Sequence, residues 1–368
     1  MRAIVVGHAH YDHAMDIPYI AVKKAPQASI YGSHTLVRVL APLADQMGTS
    51  NPLISLEDQA LCRIENPSDD PCAREKDPCA QTGPVPLAGS RRFRLWPITS
   101  EHSPQLGPGL VLGPFRRLAP FAPVTLWRGQ LLVPARTLPS RAGGWPTGTV
   151  LAYVIELLNE SGKDAVFRIY YQDSPTRRPI GYPPRCVGRI DLALLCVGGA
   201  TELQEFPQDI VAEIKPKFVM GAHWEDFFNP RPLPLPGQRD VKESIRPVAG
   251  VKVEAFLKAV GRVLPAGGQA TVPCPEAVTY FQRDGEGWKI VKTTASWESR
   301  RGRLFSPLAR RHERDSPEQP RPPGSKPTAP RPRTQSAAIP EEPCRASLRA
   351  AIGSALHFGP LTVWVPGR

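Results

Sequence analysis

His8, His10, Asp12 and His13 fall within six residues, in the pattern His-x-His-x-Asp-His. Imidazole and carboxylate are the ligands that borderline divalent ions such as zinc accept. Four of them exceed the need of one open catalytic zinc ion and point to two ions. On a helix, residues one and two apart fan around the axis, whereas a tight loop after a strand lets them converge. The apolar residues 3–6 directly before the motif read as that strand.

The elements further along repeat this arrangement. Residues 92–99 read as a strand that leads to His102, 165–171 as one that leads to Asp173, and 217–220 as one that leads to His223. Open α/β architectures hold their ligands beyond the carboxyl ends of strands, so these residues are expected to meet the motif. Five of the eight histidines lie at such ends; His34, His312 and His357 do not. Further strands are expected at 28–31, 149–157, 190–197 and 286–293, and helices at 14–24, 35–41, 203–214 and 251–263. Pro18 suits a first helical turn, Ser33 an N-cap, and Pro42 a helix stop. The alternation of strand and helix implies an α/β layered domain. Residues 62–91 and 103–148 are turn-rich long loops, of a length typical of substrate lids or disorder.

Composition divides the chain. Proline accounts for 44 of 368 residues, more than twice its usual share of about 5%. The net charge is +12, and residues 298–336 hold ten Lys or Arg against four Asp or Glu, half of that excess. This Pro/Arg-rich stretch reads as a disordered, solvated tail. Polyanion binding through it is a rival reading, and no specific nucleic acid is expected. The seven cysteines are odd in number and lack Cys-x-x-Cys spacing, so no disulfide framework is expected. A Cys62–Cys72 or Cys72–Cys79 bridge is the minor alternative, and Cys186 and Cys196 read as small core residues. No apolar run reaches transmembrane length and no signal peptide opens the sequence; the location is left unknown, with the cytoplasm as the default.

The segments VGHAHYDHAMDIPYIA, PITSEHSPQ, YYQDSP, IDLALLCVGGA and FVMGAHWEDFF together resemble the metallo-β-lactamase superfamily. The resembling branch contains the lactonase-like and N-acylphosphatidylethanolamine phospholipase D-like hydrolases. The resemblance implies an αββα sandwich of two mixed sheets over residues 1–298, with 299–368 as the tail. It implies two zinc ions, one on His8, His10 and His102, the other on Asp12, His13 and His223, with Asp173 between them; Mn2+ or Fe2+ would also suit. A hydroxide shared by the ions would then cleave an ester, lactone or phosphodiester bond in a small-molecule or lipid-like substrate. Asp12 would be catalytic as well, orienting the nucleophile or passing a proton to the leaving group. No serine or cysteine nucleophile is needed.

Around these residues, Glu101, Glu225 or Asp226 could orient a ligand imidazole or be plain surface charges. Trp127, Trp145 and Phe115 could line an apolar pocket, with core packing as the alternative. The family places several strands before the His-x-His-x-Asp-His loop, and here only residues 3–6 precede it. The first sheet is therefore expected to be incomplete and the chain to be truncated at its N-terminus. An inactive metal-binding remnant is the corresponding rival.

Overall fold

A computed structural model describes residues 2–62, 78–103, 129–225, 247–248, 250–273, 277–285, 287–293, 296–300, 303–305, 354–358 and 361–365. In chain order the strands are β1 (Ala3–Val5), β2 (Ser29–Gly32), β3 (Leu53–Ser55), β4 (Val85–Pro86), β5 (Phe93–Ser100), β6 (Val150–Leu158), β7 (Ala165–Gln172) and β8 (Leu192–Cys196). They continue with β9 (Phe218–Ala222), β10 (Gln269–Pro273), β11 (Val278–Asp284), β12 (Gly287–Thr293), β13 (Ser296–Arg300), β14 (Arg303–Phe305), β15 (Ser354–Phe358) and β16 (Leu361–Val365). The α-helices are α1 (Tyr11–Ala14), α2 (Ile17–Lys23), α3 (His34–Leu40), α4 (Leu43–Met47), α5 (Pro78–Gln81), α6 (Gln208–Ile214) and α7 (Val253–Val263).

Three sheets result. A small sheet runs β1-β2-β3, all parallel. The large sheet has nine strands in the order β14-β13-β10-β9-β8-β7-β6-β5-β4. It is mixed: β7 to β10 are parallel in succession, and its flanks are antiparallel. A third sheet has the order β12-β11-β16-β15.

The alternation of side chains along β6 shows how the layers stack. All nine of its residues are buried, as expected of a strand covered on both faces. Leu151, Tyr153, Ile155 and Leu157 share a core with Tyr31 of β2 and Phe281 of β11. Ala152 and Val154 share another with Ile210 and Val211 of α6 and with Phe256 and Val260 of α7. Helix α7 supplies its part through Val253, Phe256, Leu257 and Val260, the spacing of one helical face. A third core joins Val6 and Ile30 to α2, α3 and α4 through Ile17, Leu36, Val39, Leu40 and Leu43. Helices therefore lie outside two layers of sheet. The protein is α/β with mixed sheets, compatible with an αββα sandwich.

Differences from the sequence reading have local causes. The helix expected over 14–24 forms as the shorter α2, with Pro18 in its first turn as expected, while the motif expected as a loop closes into the single turn of α1. The helix expected over 203–214 is shortened to α6, with Pro207 at its N-cap. Ser33 caps α3 as expected, its Oγ accepting from the Leu36 amide at 3.3 Å. Strands β14, β15 and β16 form within 299–368, and the remainder of that segment lies outside the described residues. No helix among the described residues is long and apolar enough to cross a membrane.

The cysteines depart from expectation. Cys79 of α5 is disulfide-bonded to Cys186, with Cα atoms 6.0 Å apart. Cys62 is also disulfide-bonded, while Cys196 is free and buried. Cys186 is a crosslink in the Arg185–Val187 turn, not the core thiol expected. Its partner is 107 residues away in sequence, so only the fold brings the pair together.

Candidate metal centre

The fold delivers the chemistry-bearing side chains to one end of the sheets. His8 and His10 follow β1, and Asp12 and His13 lie in the single turn of α1, which His10 opens with extended dihedrals. His102 follows β5, Asp173 follows β7, and His223 follows β9. His223 itself has φ of 56°, a left-handed conformation uncommon outside glycine. The Gly198 amide donates to its carbonyl at 2.9 Å, holding the turn.

All seven expected residues come together. Three groups have ligand atoms within 4.8 Å of one another: His8, His10 and His102; His8, His13 and Asp173; and Asp12, His13 and His223. In the first, His8 Nε2 faces His10 Nδ1 at 3.1 Å. The His102 and His8 rings are 4.9 Å apart and nearly perpendicular, and the His102 and His10 rings are 4.8 Å apart. In the last, His13 Nε2 lies 3.1 Å from His223 Nε2 and 3.7 Å from Asp12 Oδ2, and His223 Nε2 lies 3.3 Å from Asp12 Oδ2. Asp173 joins the two triangles: its Oδ2 is 3.0 Å from His8 Nδ1 and 3.4 Å from His13 Nδ1.

Neighbouring groups set the rings. His102 Nδ1 donates to the Ser103 carbonyl at 2.8 Å, which leaves Nε2 for the cluster. The Ser103 amide in turn donates to Ser174 Oγ at 2.8 Å, tying the His102 loop to the Asp173 loop. Thr147 Oγ1 lies 2.6 Å from His10 Nε2, so His10 presents Nδ1 inward. Thr147 was not foreseen, because a lone threonine in a Pro/Gly-rich stretch carries no signal. Gly7 is equally silent in the sequence, yet a Cβ there would lie 2.0 Å from Asp173 Oδ2.

Burial and mutual charge govern the titration of the cluster. Burial holds His8 and His13 well below the usual imidazole range, with neighbouring imidazoles adding to the shift, and lowers His102 to about 4. These rings are therefore neutral at pH 7, the form that binds metal. Burial raises the Asp173 carboxyl despite the surrounding histidines. Burial also works against the Asp12 carboxylate, but His13 and His223 outweigh it and hold its pKa below the ordinary value. His223 runs opposite to the other rings: burial lowers it, and the hydrogen bond and charge of Asp12 raise it on balance.

The donor set fits divalent cations. Tetrahedral zinc with bonds of about 2.0–2.1 Å has donor–donor edges of about 3.3–3.4 Å. The edges of the Asp12, His13 and His223 triangle are 3.7, 3.1 and 3.3 Å. Asp12 Oδ1 and Asp173 Oδ1 are buried with no hydrogen-bond partner among the described residues, a costly state that a cation would relieve.

A cleft of about 620 Å³ opens beside His102 and Thr147 and is walled by Thr99, Glu101, Thr149 and Arg177, among others. Glu101 pairs with Arg177, its Oε2 lying 3.3 Å from Nη2. Glu225 Oε2 accepts from the Trp224 amide at 2.9 Å, and Trp224 is buried with Nε1 donating to the Pro273 carbonyl at 3.0 Å. Trp145 packs in the third core rather than in the cleft. Phe115, Trp127 and Asp226 lie outside the described residues. Neither a family model nor a curated protein matches this chain.

Proposed function

We propose that this chain is a hydrolase of the metallo-β-lactamase type that uses two divalent metal ions, zinc by the chemistry of the donors. The observation that carries this reading is the near-equilateral triangle of Asp12 Oδ2, His13 Nε2 and His223 Nε2, joined through Asp173 to a second triad of imidazoles. Three protein ligands with an open fourth position are the mark of a catalytic rather than a structural zinc site. The helix–sheet–sheet–helix layering is compatible with the resemblance seen in the sequence.

In this reading His8 Nε2, His10 Nδ1 and His102 Nε2 hold one ion, and Asp12, His13 and His223 hold the other. Bound there, the ions would acidify a water and polarise the oxygen of an ester, lactone or phosphodiester. The protein's own part is positional. Asp173 Oδ2 orients the His8 and His13 rings, and its Oδ1 is left for a cation. Asp12, held ionised by His13 and His223, would align the nucleophile and carry a proton to the leaving group. Burial of His8, His10 and Asp173 keeps competing water from their inner sides.

The test measures metal per chain on purified protein, then the turnover of a generic phosphodiester and a generic lactone with and without chelator. Two equivalents of metal and chelator-sensitive turnover are expected. Bound metal without turnover on either substrate would indicate the remnant, and absence of bound metal would overturn the ligand assignment.

A further inference from the structure

We propose that Arg177 makes the cleft beside His102 a subsite for an oxyanion, a phosphoryl or carboxylate group carried by the substrate next to its scissile bond. This rests on the hydrolase reading above and narrows it to anionic substrates.

The cleft reaches the first triad, because His102 is in its wall and Thr147, which touches His10, is beside it. Arg177 is the one Lys or Arg among the described lining residues. Its side chain is 64% exposed, so the guanidinium is accessible from the opening. Two hydroxyls of the wall point away from the space: Thr149 Oγ1 donates to Glu57 Oε1 at 2.7 Å, and Thr176 Oγ1 donates to the Ile180 carbonyl at 2.7 Å. Those two hydrogens are committed, and Arg177 is the permanently charged donor of the wall.

A guanidinium offers five donors in a planar fork that matches carboxylate and phosphate oxygens. Glu101 Oε2, at 3.3 Å, takes one of them and holds the fork at the rim. An exposed pair of this kind is weak, so an incoming oxyanion can displace Glu101. Glu101, His102 and Arg177 all line this cleft, so an oxyanion held there shares the space that opens on the first triad. Glu101 thereby acts as an internal competitor for the subsite.

The experiment titrates metal-loaded full chain with phenyl phosphate, benzoate and neutral benzamide, reading heat of binding. Arg177→Ala is expected to weaken the binding of phenyl phosphate or of benzoate by about tenfold or more, with benzamide and metal content unchanged. The oxyanion that loses more identifies the group as phosphoryl or carboxylate. Arg177→Lys should recover only part of the loss, because a point charge lacks the fork. Glu101→Gln should tighten the same ligand. Unchanged binding of both anions in Arg177→Ala, or equal weakening of benzamide, would overturn the subsite. Failure of the hydrolase reading is a separate result: wild-type protein would turn over no ester while these binding differences persisted.

Discussion

Gly7 and Asp173 share one space: a methyl group on Gly7 would lie 2.0 Å from Asp173 Oδ2 and 2.2 Å from its Cγ. The strand that leads into the motif and the strand end that supplies the joining carboxylate are therefore matched by the absence of a side chain. Gly7→Ala should push Asp173 off His8 and His13 and lower bound metal by at least one equivalent. The overpacking should also destabilise the protein by about 1–3 kcal/mol. Elemental analysis and thermal melts check this, and a variant with full metal content would show that Asp173 is dispensable to the centre.

Thr147 offers a cleaner perturbation, since it touches a ring and no proposed ion. Its Oγ1 is 2.6 Å from His10 Nε2. Thr147→Val keeps the shape and removes the partner that holds the ring. Metal affinity, read by competition with a chromogenic chelator, should fall by about 10–100-fold. Thr147→Ser restores the oxygen and should recover most of it.

Acidity should act with a definite sign on the metal-free protein. His102 is lowered by burial to about 4, and His8 and His13 are lowered as well. A base whose folded pKa is depressed adds stability above its unfolded value of about 6.5 and loses it as pH falls towards the folded value. His223 is raised, chiefly through Asp12 acting against burial, so its contribution is present below 6.5 and lost as pH rises above it. Asp173, raised by burial, contributes most below pH 3.8 and less as pH climbs through its folded value. Three rings act on the acid side together with Asp12, whose lowered carboxyl loses its contribution as pH falls below 3.8, and Asp173 opposes them, so chelator-treated protein should melt highest near pH 6.5 and lose stability from there towards pH 4. Protonation also competes with metal, so retention of metal should fall over the same interval. A melting temperature that rises steadily on acidification would contradict the buried neutral rings.

Away from the centre, Glu156 tests the scaffold alone. Its side chain, 2% exposed, lies between Arg94 and Arg168 on the two neighbouring strands, with Arg168 Nε at 2.7 Å. Glu156→Ala strands two guanidinium groups and should cost about 3 kcal/mol, the low end for a broken buried pair, because both arginines reach solvent. Metal content should stay at the wild-type value. Loss of metal together with stability would mean that strand alignment at this end is transmitted to the His102 and Asp173 ends.

The residues of the centre were legible in the sequence because each follows an apolar run that can be read as a strand. His102, Asp173 and His223 stand at the ends of β5, β7 and β9, and it took the resemblance of the flanking segments to single these residues out as a set. The single turn of α1 and the short strand β3 were not legible, since three or four residues give no period to detect. Thr147 and Gly7 act through space, on His10 and Asp173, from parts of the sequence without pattern. Positions of this kind become visible only when the layers have been assembled.

The Cys79–Cys186 crosslink belongs to the same class, and its consequences are open to measurement. It ties α5 to the turn before β8 across a sequence separation of 107 residues. Closing so long a loop removes much of the freedom of the unfolded chain, and loss of such a bond typically costs about 2–5 kcal/mol. Cys79 packs against the core that α6 and α7 share with the large sheet, while the histidines and Asp173 lie at strand ends. Cys79→Ser with Cys186→Ser should therefore lower the melting temperature by several degrees and leave metal stoichiometry unchanged. Wild-type protein in dithiothreitol should match the double variant, apart from any contribution of the Cys62 disulfide. Mass spectrometry of non-reduced peptides should show Cys79 linked to Cys186. A free thiol at Cys186 in protein purified under oxidising conditions would show that the pair does not close, and the double variant would then melt with the wild type.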